Sequence, residues 1–219
     1  MTDLAFEALC KFGAGDAART ALDHWLETLD PQQFEQLPLK SVTLFLAKKS
    51  PDQAAEWLGS IPQSKKRDAA MEALGSEWLN HDPAEAMEWA VQLDESAAPG
   101  TARNTFSDWC GLDQRSAMEW LSAYLANPVG PNSTADQMIA TAIRSSTIRQ
   151  TEPAAAMQWA EAISDPALRL KSIEQIVRTW NRTNSPAALR YVSETRTLIP
   201  EEKRAVLNAL NASAGDDDF

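Results

Sequence analysis

The feature that most constrains this chain is a spacing. Five tryptophans, Trp25, Trp57, Trp89, Trp120 and Trp159, follow one another at steps of 32, 32, 31 and 39 residues, and Tyr191 stands 32 residues further on. The phrases around them are alike: "KSPDQAAEWLGSI", "NHDPAEAMEWAVQL" and "QTEPAAAMQWAEAI". Each marker belongs to an apolar set at i, i+3, i+4 and i+7. The sets read Leu22, Trp25, Leu26, Leu29, then Ala54, Trp57, Leu58, Ile61, then Ala86, Trp89, Ala90, Leu93. They continue as Ala117, Trp120, Leu121, Tyr124, then Ala156, Trp159, Ala160, Ile163, and finally the worn copy Ala188, Tyr191, Val192, Thr195. That spacing puts four side chains on one helical face. A lone amphipathic helix shows it once; copies in register make a repeat.

A second helix precedes each marker helix. The residue eleven before the marker is Leu46, Trp78, Trp109, Ile148 or Trp180, and four of these five close a stripe of their own. Those stripes are Leu39, Val42, Thr43, Leu46; Met71, Leu74, Gly75, Trp78; Ala102, Thr105, Phe106, Trp109; and Ile173, Ile176, Val177, Trp180. The exception ends at Ile148. Its register positions Thr141, Arg144 and Ser145 are polar, and the apolar face is Ile139, Ala142 and Ile143, about two residues out of step. The same repeat carries the 39-residue step and the loop "ANPVGPNS".

Between the paired helices lie Ser50-Pro51, Asp82-Pro83, Glu152-Pro153 and Ser185-Pro186. Ser and Asp side chains accept from the unpaired N–H groups of a helix start. Proline suits the first helical position, where its missing N–H had no partner, and it pushes the preceding residue out of the α region. "LNHDP" is therefore a stop and a restart, and "LDQ" at 112–114 does the same without proline. The proline of the last unit lies five rather than six residues before its marker, which predicts one extra residue there. Turn-forming connectors such as "PQS" and "SDP" separate the repeats, and no strand candidate is present.

The predicted fold is all-α: a right-handed α-solenoid of about six helix–turn–helix repeats with period 31–32 and one step of 39, about a dozen helices in all. A single repeat domain is expected over residues 1–213, with a capping helix at about 200–212 ("PEEKRAVLNALNAS") and a disordered acidic tail over 214–219. One helix pair cannot bury its stripes alone, whereas stacked neighbours can. The recurring tryptophan then reads as a packing anchor, with aromatic ligand contact as the lesser alternative.

The pattern [DSE]-P-x-x-A-x-x-W-[AL]-x-x-φ, preceded by a helix ending in "EWL" or "DWC", resembles bacterial tandem repeats of the tetratricopeptide-like α-solenoid kind. The resemblance runs over roughly residues 4–196. The period differs from the 34 residues of true tetratricopeptide repeats, and Trp89 is followed by Ala, Val, Gln and Leu rather than by their L-G-x-x-Y continuation. Such a resemblance implies protein or peptide binding on the inner surface of a superhelix.

Charge narrows the classes of partner. A net charge of −11 and a pI of about 4.7 argue against nucleic acid, which demands many Lys and Arg against phosphates, and against an anionic membrane surface. No apolar run approaches the roughly 20 residues of a membrane span, and the start "MTDLAFEALCKF" is amphipathic rather than a secretory leader. A cytoplasmic location is the default expectation, export the alternative if a leader was removed. The basic cluster Lys65, Lys66, Arg67, with Lys48 and Lys49 upstream, reads first as a solvated helix start and second as a patch for an acidic partner.

Chemistry is sparse. The two histidines, His24 and His81, fall on a helix surface and in the "NHDP" turn. H-E-x-x-H, G-x-S-x-G and P-loop patterns are absent. Cys10 and Cys110 lack metal-ligand spacing and read as buried free thiols, with one disulfide as the alternative. The expectation is a non-enzymatic, monomeric scaffold for a protein or peptide partner, without catalytic residues, cofactor or metal. The alternatives are a helical accessory domain of a larger cell-wall or glycan-processing enzyme, whose aromatics would face sugar, and a self-assembling structural protein.

Overall fold

The computed structural model describes His24, Thr28 and residues 37–93, 100–127, 132–144 and 146–214. The expected first helix pair, with Trp25 and Cys10, and the acidic tail from 215 onward lie outside the described residues. Within them the chain forms eleven α-helices and no strand. In order these are α1 (Leu39–Ala47), α2 (Pro51–Ser60), α3 (Lys65–Trp78), α4 (Pro83–Gln92), α5 (Thr101–Leu112) and α6 (Gln114–Ala126). There follow α7 (Asn132–Arg144), α8 (Ser146–Thr151), α9 (Pro153–Ala162), α10 (Pro166–Glu194) and α11 (Pro200–Ala214). The terminal helix continues two residues past its expected end. The chain divides into two compact units, Met1–Trp109 and Cys110–Phe219.

The helix starts follow from their caps. The Glu85 N–H donates to Asp82 at 3.0 Å, Ser116 N–H to Asp113 at 3.2 Å, and Leu168 N–H to Asp165 at 2.8 Å. Each satisfies a donor that the helix cannot pair internally. The last junction departs from expectation. The cap there is Asn184, not Ser185: its backbone is non-helical (φ −154°, ψ 77°), and the Ala187 N–H donates to Asn184 Oδ1 at 3.2 Å. Asn184 stands seven residues before Tyr191, as Ser50, Asp82, Asp113 and Glu152 stand seven before their markers. No extra residue is present; Pro186 has moved one position into a first turn whose N–H groups lack intrahelical partners anyway. α10 is therefore two helices joined at a bend.

In the first unit, α1 packs on α2 and α3, and α3 on α2 and α4. All four stripe residues of α1, α3 and α5 are buried, and so are Ala54, Trp57, Leu58 and Ile61. Trp57 is 1% exposed, so its ring is an anchor in the full sense; a ring of this kind buries roughly 150–250 Å². Trp89 is only half-buried, and its helix compensates by burying Met87 and Val91 beside the stripe. The glycine at position 75 is set by approach: a Cβ there would collide with Thr105 Oγ1 of α5. One residue along, the Ser76 hydroxyl donates to the Asp108 carboxylate, linking α3 to α5 across the repeat.

In the second unit, α7, α9, both halves of α10 and α11 share one core built on Ile139, Ile143, Met157, Ile176, Val192 and Leu210, among others. The out-of-step stripe has a structural outcome. Ile139, Ala142 and Ile143 are buried, Thr141 is buried too, and the described helices of this stretch are α7 and the six-residue α8. Asp136 of α7 is 4% exposed, a buried carboxylate. It accepts from Ser164 N–H at 2.8 Å, Ser164 Oγ at 2.6 Å and Asp165 N–H at 2.9 Å, which ties α7 to the α9–α10 turn. Three donors, two of them backbone, compensate the buried charge, so its role is structural. Glu161 of α9 accepts from Tyr191 Oη at 3.3 Å, in the second half of α10, and from Thr195 Oγ1 at 2.6 Å, at that helix's C-cap.

Candidate functional site

The predicted basic cluster lies at the start of α3. Lys65 and Lys66 are exposed at the start of α3. Arg67 is half-buried, and its Nε donates to the Leu58 carbonyl at 3.1 Å, closing the C-terminal end of α2. Arg169 repeats the device in the second unit, with Nη1 donating to the Ile163 carbonyl at 2.9 Å beside the end of α9. Arg67 thus has one N–H engaged within the fold. Lys48 and Lys49 sit beyond the far end of α1.

The remaining candidates offer little chemistry. His24 and His81 are exposed. Cys110 is half-buried, and desolvation pushes its thiol up to about 11, which keeps it protonated and unreactive at neutral pH. Among the described residues, no group of three His, Cys, Asp or Glu is placed to hold a metal ion. Burial raises the Tyr191 hydroxyl above the usual range, and the Glu161 charge adds to it; this too is a packing arrangement, since the pair joins two core helices.

A surface feature of another kind lies in the second unit. An open groove of about 440 Å³ runs between α6 on one side and α8 and α9 on the other. Its floor is apolar: Met118, Ile148, Ala155 and Trp159, all half-buried. Its rim is polar, with Arg115, Glu119 and Ser122 from one face of α6 and Glu152 from the head of α9. Arg115 Nε donates to Glu119 at 3.1 Å on the exposed helix face. Trp159 also packs on the core of the unit, so the same ring serves both core and groove.

The groove lies at one junction of the repeat. At two other junctions the residue eleven before the marker is aromatic and lies against it. Trp78 and Trp89 have ring centroids 5.4 Å apart, and Trp180 and Tyr191 5.7 Å apart, both pairs tilted. Before Trp159 that position holds Ile148. The same position before Trp57 holds Leu46, and Trp57 is 1% exposed, so an aliphatic chain there does not by itself open a junction. The cap changes at the same junction. Glu152 makes no cap hydrogen bond and is exposed, and Ser50 makes none either, whereas Asp82, Asp113 and Asn184 do cap their helices. Sequence reasoning missed the groove, although the 39-residue step marked this repeat as the irregular one.

Comparison of the chain with protein-family models, with curated proteins and with solved structures finds no match. No described helix is long and apolar enough to cross a membrane.

Proposed function

We propose that this chain is a non-enzymatic scaffold: an α-solenoid of tetratricopeptide-like helix pairs that binds a protein or peptide partner. The observation that carries the reading is the open groove over α6, α8 and α9, with its apolar floor and polar rim, the form of surface that takes up an amphipathic segment. Support for the repeat comes from the constant seven residues between cap and marker at five junctions and from the burial of the paired stripes. No tryptophan among the described residues stands exposed, which favours a protein partner over a row of sugar-facing rings.

Two measurements test the reading. A solenoid of this length has a radius of gyration well above the roughly 17 Å of a compact 219-residue globule; a small-angle scattering value near 17 Å would remove the solenoid. A random peptide display library panned on the intact chain should enrich a related set of sequences, and Met118→Glu in the groove floor should abolish their capture. Enrichment of nothing would remove the scaffold reading altogether.

A further inference from the structure

The first half of α10 carries a charge pattern that no other junction repeats. We infer that its outer face, built on Lys171, Arg178 and Arg182, docks an acidic segment of a protein partner. The inference rests on the scaffold reading above and names the partner's chemistry at a second surface, which shares no residue with the groove.

Position and burial define the face. By helical geometry Lys171, Gln175, Arg178 and Arg182 fall within an arc of about 60°, while Ile173, Ile176 and Val177 turn the other way, into the core. The three cations are exposed and span about 16 Å of the helix axis. None of the three makes a hydrogen bond or ion pair among the described residues. Glu174, the one carboxylate of residues 166–183, is half-buried beside them and pairs with neither Lys171 nor Arg178, although both lie about one turn from it. The pattern is specific to this helix. At the same three places relative to the residue eleven before the marker, the α3 junction holds Ala69, Ser76 and Asn80, and the α5 junction holds Gly100, Ser107 and Gly111. The two junctions that remain hold one cation between them, Lys48.

The helix does not need these charges. Arg182, two residues before the bend at Asn184, gains from the helix dipole, but that effect is confined to the last turn and reaches neither Arg178 nor Lys171. Arg178 and Arg182 stand four residues apart with like charge, which weakens a helix. Solubility does not call for them either, since in a chain of net charge −11 each cation lowers the self-repulsion that keeps molecules apart. An anion laid along the face removes the repulsion between the two arginines, and each guanidinium fork can take a carboxylate with two parallel bonds. The overall charge selects among anions. A nucleic acid strand carries its phosphates far past the three cations and meets the acidic remainder of the chain, whereas a short acidic protein segment ends where the cations end.

The test uses the intact chain and fluorescein-labelled helical peptides of one Ala-rich background, carrying Glu, Gln or Lys at three positions spaced like the cations, read by fluorescence anisotropy at low salt. The Glu peptide should bind at least about tenfold more tightly than the Gln peptide, and added salt should weaken it. Arg178→Glu combined with Arg182→Glu should weaken it at least about tenfold. Lys65→Glu combined with Lys66→Glu makes the same change of net charge on exposed cations of the other unit and should alter binding less than about twofold. Arg178→Gln with Arg182→Gln serves if the reversed pair does not fold. Met118→Glu should leave this binding unchanged, so failure of this face and failure of the groove are read separately. Equal losses in the two double variants would reduce the effect to net charge and overturn the site. Equal affinity for the Glu and Gln peptides, or binding of neither, would overturn it as well, with the display selection still deciding the scaffold. Tighter capture of an oligothymidine than of the Glu peptide would reassign the face to nucleic acid. A rise in affinity of about tenfold on deleting Asp216–Asp218 would assign it to this chain's own acidic run instead of a partner.

Discussion

Two junctions of the same design turn out differently. In the first unit, Trp78, the Asp82 cap and Trp89 form a closed joint: one ring lies on the other, the cap bond is made, and Trp78 is 6% exposed. In the second unit, Ile148, Glu152 and Trp159 occupy the same three positions, and the joint is open: the ring pair is incomplete, the cap bond is missing, and a groove of about 440 Å³ remains. The backbone plan is shared, since both caps lie seven residues before their markers with extended φ values of −143° and −136°. The side chains differ at two positions, but an aliphatic residue and an unmade cap bond at Leu46 and Ser50 leave Trp57 1% exposed, so these two features do not open a joint by themselves.

The comparison is tested most strongly by removing rings. Trp78→Ala should cost about 3–5 kcal/mol, the range for a large buried aromatic. Trp159→Ala, half-buried and at an open joint, should cost no more than about 2 kcal/mol. Denaturant unfolding of both variants measures the gap, and equal losses would mean that the second joint is as closed as the first. Next in size is Gly75→Ala in the closed region. Helix propensity alone predicts a gain of about 1 kcal/mol, but the new methyl meets Thr105 Oγ1, so the expected outcome is a loss of about 1–3 kcal/mol. Stabilisation would show that α3 and α5 have room to spare.

Caps come third. Asp82→Ala should cost about 1 kcal/mol, whereas Glu152→Asp should gain about 0.5 kcal/mol by supplying the shorter carboxylate that a cap requires. Opposite shifts in melting temperature would separate the two joints; a loss at both would mean that Glu152 already stabilises its helix. The smallest effect is chemical. With its thiol raised to about 11, folded Cys110 should react slowly with a thiol reagent at pH 8 and faster as pH climbs toward 11. The same shift means that its contribution to stability is complete below the unfolded thiol's ordinary range and is lost as pH rises through about 11. Rapid labelling at pH 8 would place the thiol in water.

Much of this architecture was legible because it is written in short spacings. The stripes that end in Leu46, Trp78 and Trp109 are buried in full, and the caps at Asp82 and Asp113 do what Asp does at a helix start. The limits appear where two residues could serve equally. Asn184 and Ser185 are both competent caps, and the proline beside Ser185 favoured the wrong one; the packing of Ala188 and Val192 into the core fixed the register instead. Arg67 carried a charge that suggested a partner, but the Leu58 carbonyl came within its reach only when α3 folded back beside the end of α2.

The sequence by itself determined that the described chain is helical, where nearly every helix begins, and which faces turn inward, because each depends on residues within about eight positions of one another. Tertiary structure decided the rest. It brought Asp136 to a turn 28 residues away, committed Arg67 to a helix end, and left the face of Trp159 lining a groove. Those outcomes depend on which surfaces meet and how completely they fill the space between them, and no local spacing records that.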